Sequence, residues 1–212
     1  MDSIILASAS PRRRELLSQI GIEYEVIPSK QEEVVTSTVP SEIVMELAKQ
    51  KAEDIALQTK IPGKLVLGAD TIVAMDGEIM GKPVDEKDAF SMISKLQNNT
   101  HQVYTGVAFS ILKDDGSVTS HVFYEETKVM VYSMTEEEIW KYIRTKSFSN
   151  NSKVSKWDKT KEPYECEDKA GAYGIQGPFA AYIQGIQGDY NNVVGLPVGR
   201  VYQELKKFEK AL

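Results

Sequence analysis

The chain of 212 residues is long enough for one large domain or two closely joined lobes around a buried core. Its hydrophobic share of 42% and charged share of 26% are ordinary for a soluble globular protein. No apolar run approaches the roughly 20 residues that a membrane-spanning helix needs, so no membrane part is expected. The net charge of -6 argues against a broad nucleic-acid surface, although a small basic pocket could hold one polyanionic ligand.

Cysteine and histidine usage narrows the chemistry further. The single cysteine, Cys166, excludes internal disulfides and cysteine-cluster metal sites and fits a reducing cytoplasm. No signal peptide is apparent, so we expect a cytoplasmic protein. There is no Walker phosphate loop, no dinucleotide glycine fingerprint and no histidine pair at metal-ligand spacing. With only His101 and His121, a serine or cysteine triad is not expected.

The first stretch predicts a strand over residues 3–7 and a helix from Pro11 to about Gly21. Ser10 suits the N-cap of this helix, and Pro11 suits its first position. Ser8-Ala9-Ser10 forms a polar corner before the helix, where unpaired amides and the dipole favour an anion. The arginines Arg12, Arg13 and Arg14 crowd into the first turn. Either a phosphate sits beside them or they form a solvated basic helix start.

The next segments supply acidic and basic candidates. A half-buried strand over 22–27 is followed by a polar loop with Glu32 and Glu33, which predicts either an oxygen-based metal ligand or a solvated loop. Residues 41–58 are the clearest amphipathic helix, and Lys51 lies at the centre of its apolar arc. That lysine must either snorkel to solvent or have a phosphate or carboxylate as its partner.

A buried strand is predicted over 65–69, with Asp70 and Thr71 where it emerges from the core. A carboxylate there suits a metal ligand or a general base, but also a turn or cap. The Asp76-Gly77 pair predicts a hairpin turn. The hairpin could bring Lys82 back towards Asp70, which makes Lys82 either a phosphate ligand or a surface lysine.

The second half predicts a mixed α/β chain. Asp85 caps a structural helix, and Thr135 with Glu138 forms a capping box. Antiparallel strands are predicted over 103–112, 118–124 and 128–132, and Thr105-Gly106 indicates a bulge or a close ligand approach. Residues 145–162 lack periodicity and predict a mobile surface insertion. The glycine-rich stretch 168–177 permits close backbone approach, and an amphipathic helix ends the chain.

Six motifs in order together resemble the Maf family of nucleotide pyrophosphatases over nearly the whole chain. Each motif is modest alone, but the ordered set is highly specific. They are Ser8-Ala9-Ser10-Pro11-Arg12-Arg13, Gly68-Ala69-Asp70-Thr71, Gly81-Lys82-Pro83, His101-Gln102-Val103-Tyr104-Thr105-Gly106, Asp168 to Gln176 and Val194-Gly195-Leu196-Pro197.

The resemblance implies one Maf-like domain over 1–212, with a longer surface insertion at about 147–167. The implied fold is mixed α/β, a twisted sheet flanked by helices, with two lobes around a deep cleft as in the inosine triphosphate pyrophosphatases. The implied reaction is hydrolysis of a nucleoside triphosphate to the monophosphate and pyrophosphate with Mg²⁺ or Mn²⁺. A homodimer is also in keeping with the family.

The resemblance also implies a role for each matching residue. Asp70 is the expected catalytic base, and Glu33 and Asp70 are the expected metal ligands. The expected phosphate ligands are Ser8, Arg13, Lys51 and Lys82. Arg12, Thr71 and Gln176 match the branch that takes dTTP and UTP.

Two other functions stay open at this stage. A non-catalytic nucleotide-binding regulator of cell division would need the phosphate ligands but not Glu33 and Asp70. A nucleotidyltransferase would use the same site but pass the α-phosphoryl group to an acceptor other than water. Release of free monophosphate without an acceptor separates hydrolysis from both.

Overall fold

The computed structural model describes residues 3–147 and 154–211, with side chains described as far as Phe208. Two short 3₁₀ helices, Ala170–Ala172 and Pro178–Tyr182, accompany the regular elements. In chain order the strands and α-helices are β1 (Ile4–Leu6), α1 (Pro11–Gln19), β2 (Tyr24–Val26), α2 (Pro40–Thr59), β3 (Leu65–Met75), β4 (Glu78–Met80), α3 (Glu86–Leu96), β5 (Thr100–Leu112), β6 (Val118–Val131), α4 (Glu136–Ile143), β7 (Ile183–Gln187), α5 (Tyr190–Val194) and α6 (Val198–Ala211).

The strands form one mixed sheet flanked by helices, which confirms the predicted α/β class. Its order is β2-β1-β3-β5-β6-β7, with β4 paired to β3. Strand β1 is parallel to both β2 and β3, whereas β3–β4 and β6–β7 are antiparallel. The parallel β1–β3 pair requires a long crossover, and this crossover contains α1, β2 and α2.

The chain divides into two compact units. Unit 1 comprises Met1–Thr71, Tyr104–Glu126 and Asp189–Leu212, and unit 2 comprises Ile72–Val103 and Thr127–Gly188. In unit 1, a core cluster joins β1, α2, β3 and β5. Its buried members are Ile5, Ala7, Ala48, Ala52, Ile55, Ala56, Val66 and Ala108.

Two glycines allow helix α2 to lie directly against the sheet. A Cβ built on Gly68 would be 2.2 Å from the carbonyl oxygen of Ala48, and one on Gly106 would be 2.1 Å from that of Val44. Only glycine tolerates such an approach. Gly106 therefore accommodates a helix backbone rather than a ligand.

Unit 2 is built around buried aromatic residues. Phe179 is fully buried, with its ring centroid 4.7 Å from that of Tyr173 and 4.9 Å from that of Tyr142. His101 is also fully buried, with Nε2 2.7 Å from the Tyr173 hydroxyl. Burial lowers the pKa of His101 to about 4, so this histidine is neutral at ordinary pH.

Several local predictions are confirmed. Asp85 accepts a hydrogen bond from the Asp88 amide at the start of α3. The Thr135–Glu138 capping box at α4 has both of its hydrogen bonds. Asp76 and Gly77 both have positive φ, as a two-residue hairpin turn between β3 and β4 requires.

Two local predictions are wrong, and a third is confirmed in position only. Asp70 does not follow the end of a strand, because β3 continues to Met75 and forms the hairpin with its last residues. The two strands predicted over 118–124 and 128–132 are one strand, β6. Ser10 occupies the N-cap of α1 as predicted, but its side chain makes no cap hydrogen bond.

The insertion predicted at 147–167 is described only in part, because residues 148–153 lie outside the described ranges. In the described part, Ser155 and Glu167 are buried, and the Ser155 hydroxyl donates to the Glu167 carboxylate at 2.6 Å. The Ser147 amide donates to the carbonyl oxygen of Pro163 at 2.8 Å. The mobility of this segment stays a prediction.

Candidate active site

Arg13 is the centre of a buried hydrogen-bond network in unit 1. Its Nε donates to the carbonyl oxygen of Gly195 at 2.9 Å, and Nη1 donates to Ser8 Oγ at 3.0 Å and to the Ala69 carbonyl at 2.9 Å. Nη2 donates to Thr71 Oγ1 at 3.0 Å. Four of the five N–H groups of the guanidinium are therefore committed to acceptors of the chain itself.

The electrostatics of Arg13 follow from this position. Burial lowers the pKa of Arg13 to about 10, and the nearby carboxylate of Asp70 opposes that shift. The guanidinium is still charged at neutral pH. A buried cation that retains one N–H is suited to hold a backbone frame while it attracts an anion.

The network extends from Arg13 through two threonine hydroxyls. Thr71 Oγ1 lies 3.0 Å from Thr105 Oγ1, and Thr105 donates to the carbonyl oxygen of Asn192 at 3.1 Å. Thr105 is fully buried. These hydrogen bonds connect strands β3 and β5 to the segment around α5. They also offset the cost of removing the threonine hydroxyls from water.

Lys51 links the two carboxylates that the sequence singles out. Its Nζ lies 2.5 Å from Asp70 Oδ1 and 2.8 Å from Glu33 Oε1. The side chains of Lys51 and Asp70 are 18% and 16% exposed, whereas that of Glu33 is 52% exposed. Of the two alternatives for Lys51, the presence of a partner is confirmed, and the partner is a pair of carboxylates.

The close approach of α2 explains the Lys51–Asp70 contact. Asp70 lies two residues after Gly68 and therefore points to the same face of β3. Lys51 lies three residues after Ala48 and so occupies the same side of α2. The missing Cβ at Gly68 lets the helix backbone come near enough for the short ion pair.

The loop that carries Glu33 is fastened to helix α2 by hydrogen bonds. The next residue, Val34, donates its amide to Gln50 Oε1 at 3.0 Å and accepts from Gln50 Nε2 at 2.5 Å. Thr36 is bound in the same way, because its amide and hydroxyl both donate to the Glu46 carboxylate. The loop is exposed, as the solvated-loop alternative expects, and hydrogen bonds fasten it to α2.

Ser8 completes the group in unit 1. Its Oγ accepts from Arg13 Nη1 and from the Ser10 amide at 3.3 Å. Because both bonds use lone pairs of the oxygen, the Ser8 hydroxyl hydrogen remains able to donate. Arg12 is half-buried in the first turn of α1.

The remaining predicted residues, Lys82 and Gln176, belong to unit 2 and are both exposed. Lys82 follows β4, and Gln176 lies between the two 3₁₀ helices in a turn where the Gly177 amide donates to the Gly174 carbonyl. Their roles stay predictions.

Sequence reasoning missed three residues that hold the site together. Thr105 stands only in the Thr105-Gly106 motif, and nothing distinguishes Gln50 and Glu46 from the other polar residues of the predicted helix over 41–58. A polar side chain that binds a loop backbone has no periodic signal of its own. The one signal for Thr105 was the small Thr105-Gly106 pair within a strand, which indicates a close approach of other groups.

The fold and the site define a mixed α/β protein in which a buried arginine, a lysine and two carboxylates converge beside the start of a helix. The chain belongs to the Maf family, whose match, described as Maf-like protein, covers residues 3–208. None of the helices in the described ranges has the length and apolar character needed to cross a bilayer.

Several relatives are similar over almost their full length. A protein of Agathobacter rectalis named dTTP/UTP pyrophosphatase is 50% identical, covering 98% of each chain. One of Lachnoclostridium phytofermentans with the same name is 48% identical, covering 98% of this chain and 96% of the relative. Among solved structures, a HAM1 protein from Coxiella burnetii has a TM-score of 0.48 at 12% identity, covering all of both chains.

Proposed function

We propose that this protein hydrolyses dTTP and UTP to the nucleoside monophosphate and pyrophosphate. The relatives that are half identical to it carry the name of that activity. The observation that carries the proposal is the contact of one ammonium, that of Lys51, with both Asp70 and Glu33. Such a set of one cation and two carboxylates suits a reaction that needs a base, a metal and a phosphate ligand.

We assign a Mg²⁺ or Mn²⁺ ion to Glu33 and Asp70. Their oxygens contact the same Nζ atom and so already surround one cationic group. No cluster of three or more metal-binding side chains occurs among the described residues. Two carboxylates still fit Mg²⁺, which often takes its other ligands from water and substrate phosphates. The ion would supply neutralisation of phosphate charge and a lower pKa for water.

Asp70 is the proposed proton acceptor for the water that attacks the α-phosphorus. Its side chain is mostly shielded from solvent and lies 2.5 Å from the Lys51 ammonium. The bond from the α-phosphorus to the bridging oxygen breaks, and pyrophosphate leaves. Lys51 and the remaining N–H of Arg13 are then in place to neutralise charge on phosphate oxygens.

The other phosphate contacts follow from position or from the family resemblance. Ser8 would donate its hydroxyl hydrogen to a phosphate oxygen, beside the free amides that begin any helix. The role of Lys82 as a phosphate ligand and those of Arg12 and Gln176 in base selection rest on the resemblance alone. Thr71 would affect base selection indirectly, since its hydroxyl is engaged with Arg13 and Thr105.

Pyrophosphate release from a panel of triphosphates tests the proposal. The panel contains dTTP, UTP, CTP and GTP, each with Mg²⁺, with Mn²⁺ and with chelator. We expect metal-dependent monophosphate formation that is fastest on dTTP and UTP. Nucleotide binding without turnover would instead favour a non-catalytic regulator, and a preference for another base would overturn the specificity assignment.

Base selection has its own test. Replacing Gln176→Glu should change the ratio of kcat/KM values among dTTP, UTP and CTP more than it changes pyrophosphate binding, because an amide that pairs with a pyrimidine edge becomes an acceptor only. Unchanged ratios would remove Gln176 from base selection.

The setting of the reaction belongs to the same proposal. We place it in the cytoplasm, with the nucleoside triphosphate as partner and without nucleic acid or membrane. We also propose a homodimer, which sedimentation of the purified protein would detect.

A further inference from the structure

The ammonium of Lys51 occupies a position that a metal ion also requires. It donates to Asp70 Oδ1 and pairs with Glu33 Oε1, which are the two carboxylates assigned to the cation. A divalent ion would have to sit within about 2.1 Å of the same oxygens. An ammonium at hydrogen-bonding distance from both would then be only a few ångströms from the metal, where like charges repel strongly.

The backbone segments that carry these three side chains are held by packing and hydrogen bonds. Lys51 is held against Asp70 because Gly68 admits α2, and Glu33 is held near by the attachment of Val34 to Gln50. The backbones that carry Asp70 and Glu33 are therefore restrained. The side chain of Lys51 can swing, because its four-carbon stem is flexible.

We propose that Lys51 competes with the divalent ion for Glu33 and Asp70, so that tight metal binding requires Lys51 to move onto another anion. This inference rests on the proposed function, in which the phosphates of the nucleotide are that anion. The ion and the nucleotide would consequently bind together, and the protein alone would hold metal weakly. Lys51 would then have two successive partners: carboxylates before binding and phosphate oxygens afterwards.

Binding of Mn²⁺ alone to the purified protein tests the competition, followed through the electron paramagnetic resonance signal of free Mn²⁺. Lys51→Met should bind Mn²⁺ about tenfold or more tightly than the unchanged protein, because the competing charge is gone. Lys51→Arg keeps the positive charge, so this variant should bind Mn²⁺ as weakly as the unchanged protein. Lys51→Gln serves as a second neutral variant if methionine impairs folding.

Lys49→Met is the matched control. Lys49 lies on the same helix but pairs with Glu53 at 3.8 Å and is 51% exposed. The Lys49→Met substitution removes one positive charge that does not contact Glu33 or Asp70, so Mn²⁺ affinity should stay near that of the unchanged protein. Adding Asp70→Asn to Lys51→Met should abolish the gain.

Three results would overturn the inference. They are equal Mn²⁺ affinity in Lys51→Met and the unchanged protein, weaker or undetectable binding in both neutral variants, and an equal gain in Lys49→Met. The experiment needs no turnover, so a failure of the proposed hydrolysis would leave its outcome readable. Conversely, if the protein hydrolyses dTTP but Lys51→Met and the unchanged protein bind Mn²⁺ equally well, only the proposed competition is refuted.

Discussion

Replacing Gly68→Ala should damage both the stability of the protein and the position of Lys51. The added Cβ would lie 2.2 Å from the Ala48 carbonyl oxygen and 2.8 Å from the Ala52 amide nitrogen. These two atoms are the ends of one helical hydrogen bond, so the methyl group would push into the backbone of α2. No side-chain rotation can relieve such an overlap.

The expected cost is about 3 kcal/mol, at the upper end of what overpacking a core produces, because the obstacle is backbone. Urea unfolding followed by circular dichroism measures it. Where the variant folds, helix α2 must shift away from β3, and the Lys51–Asp70 contact lengthens. We therefore expect turnover of dTTP to fall as well.

Gly199→Ala is the matched control, since Gly199 lies in α6 and a Cβ there would have nothing within 4 Å. Alanine should leave stability unchanged or raise it by up to about 1 kcal/mol. If Gly68→Ala unfolds at the same urea concentration as the unchanged protein, the account of how α2 positions Lys51 is wrong.

Three further substitutions test other parts of the structure. Because burial lowers the pKa of His101 to about 4, the unfolded chain takes up a proton first as pH falls below about 6.5. The protein should lose up to about 3 kcal/mol of stability between pH 6.5 and 4, and His101→Gln should flatten that slope in urea titrations. Lys169→Met should cost about 3–5 kcal/mol, since it leaves the buried carboxylate of Glu165, 3.0 Å from Nζ, without this partner. Thr105→Val should cost about 1–3 kcal/mol, because it removes the hydroxyl that donates to the Asn192 carbonyl.

An unchanged acid slope in His101→Gln would contradict the burial of a neutral imidazole. The other two substitutions each have a control on the same chain. Lys146→Met breaks an exposed ion pair with Glu162 and should leave stability almost unchanged. Thr105→Ser keeps the hydroxyl and should retain most of the stability. Equal effects in substitution and control would contradict the structural reason given for each.

The α/β class and most elements were predictable because they depend on local signals. The capping box at Thr135, the Asp76-Gly77 turn and the apolar arc of α2 are each readable within a few residues. The full length of β3 was not readable in the same way. Asp70 looks like the end of a strand from its neighbours, yet the sheet continues through it because the hairpin partner β4 pairs farther along.

The residues of the site could be named from the sequence, but the contacts among them could not. Lys51 was conspicuous because a lysine on an apolar arc needs a reason, and the reason is two carboxylates from distant parts of the chain. The commitment of Arg13 to the Gly195 and Ala69 carbonyls could not be foreseen, since backbone acceptors have no sequence signature. The attachment of the Glu33 loop by Gln50 was hidden for the same reason.

The position of isotope label after hydrolysis in ¹⁸O-water tests the central claim most directly. With dTTP and Mg²⁺, water activated at Asp70 and attacking the α-phosphorus places one ¹⁸O in the thymidine monophosphate and none in the pyrophosphate. Folded Asp70→Asn should form neither labelled product at a measurable rate. Label in the pyrophosphate, or unchanged turnover by Asp70→Asn, would contradict the account.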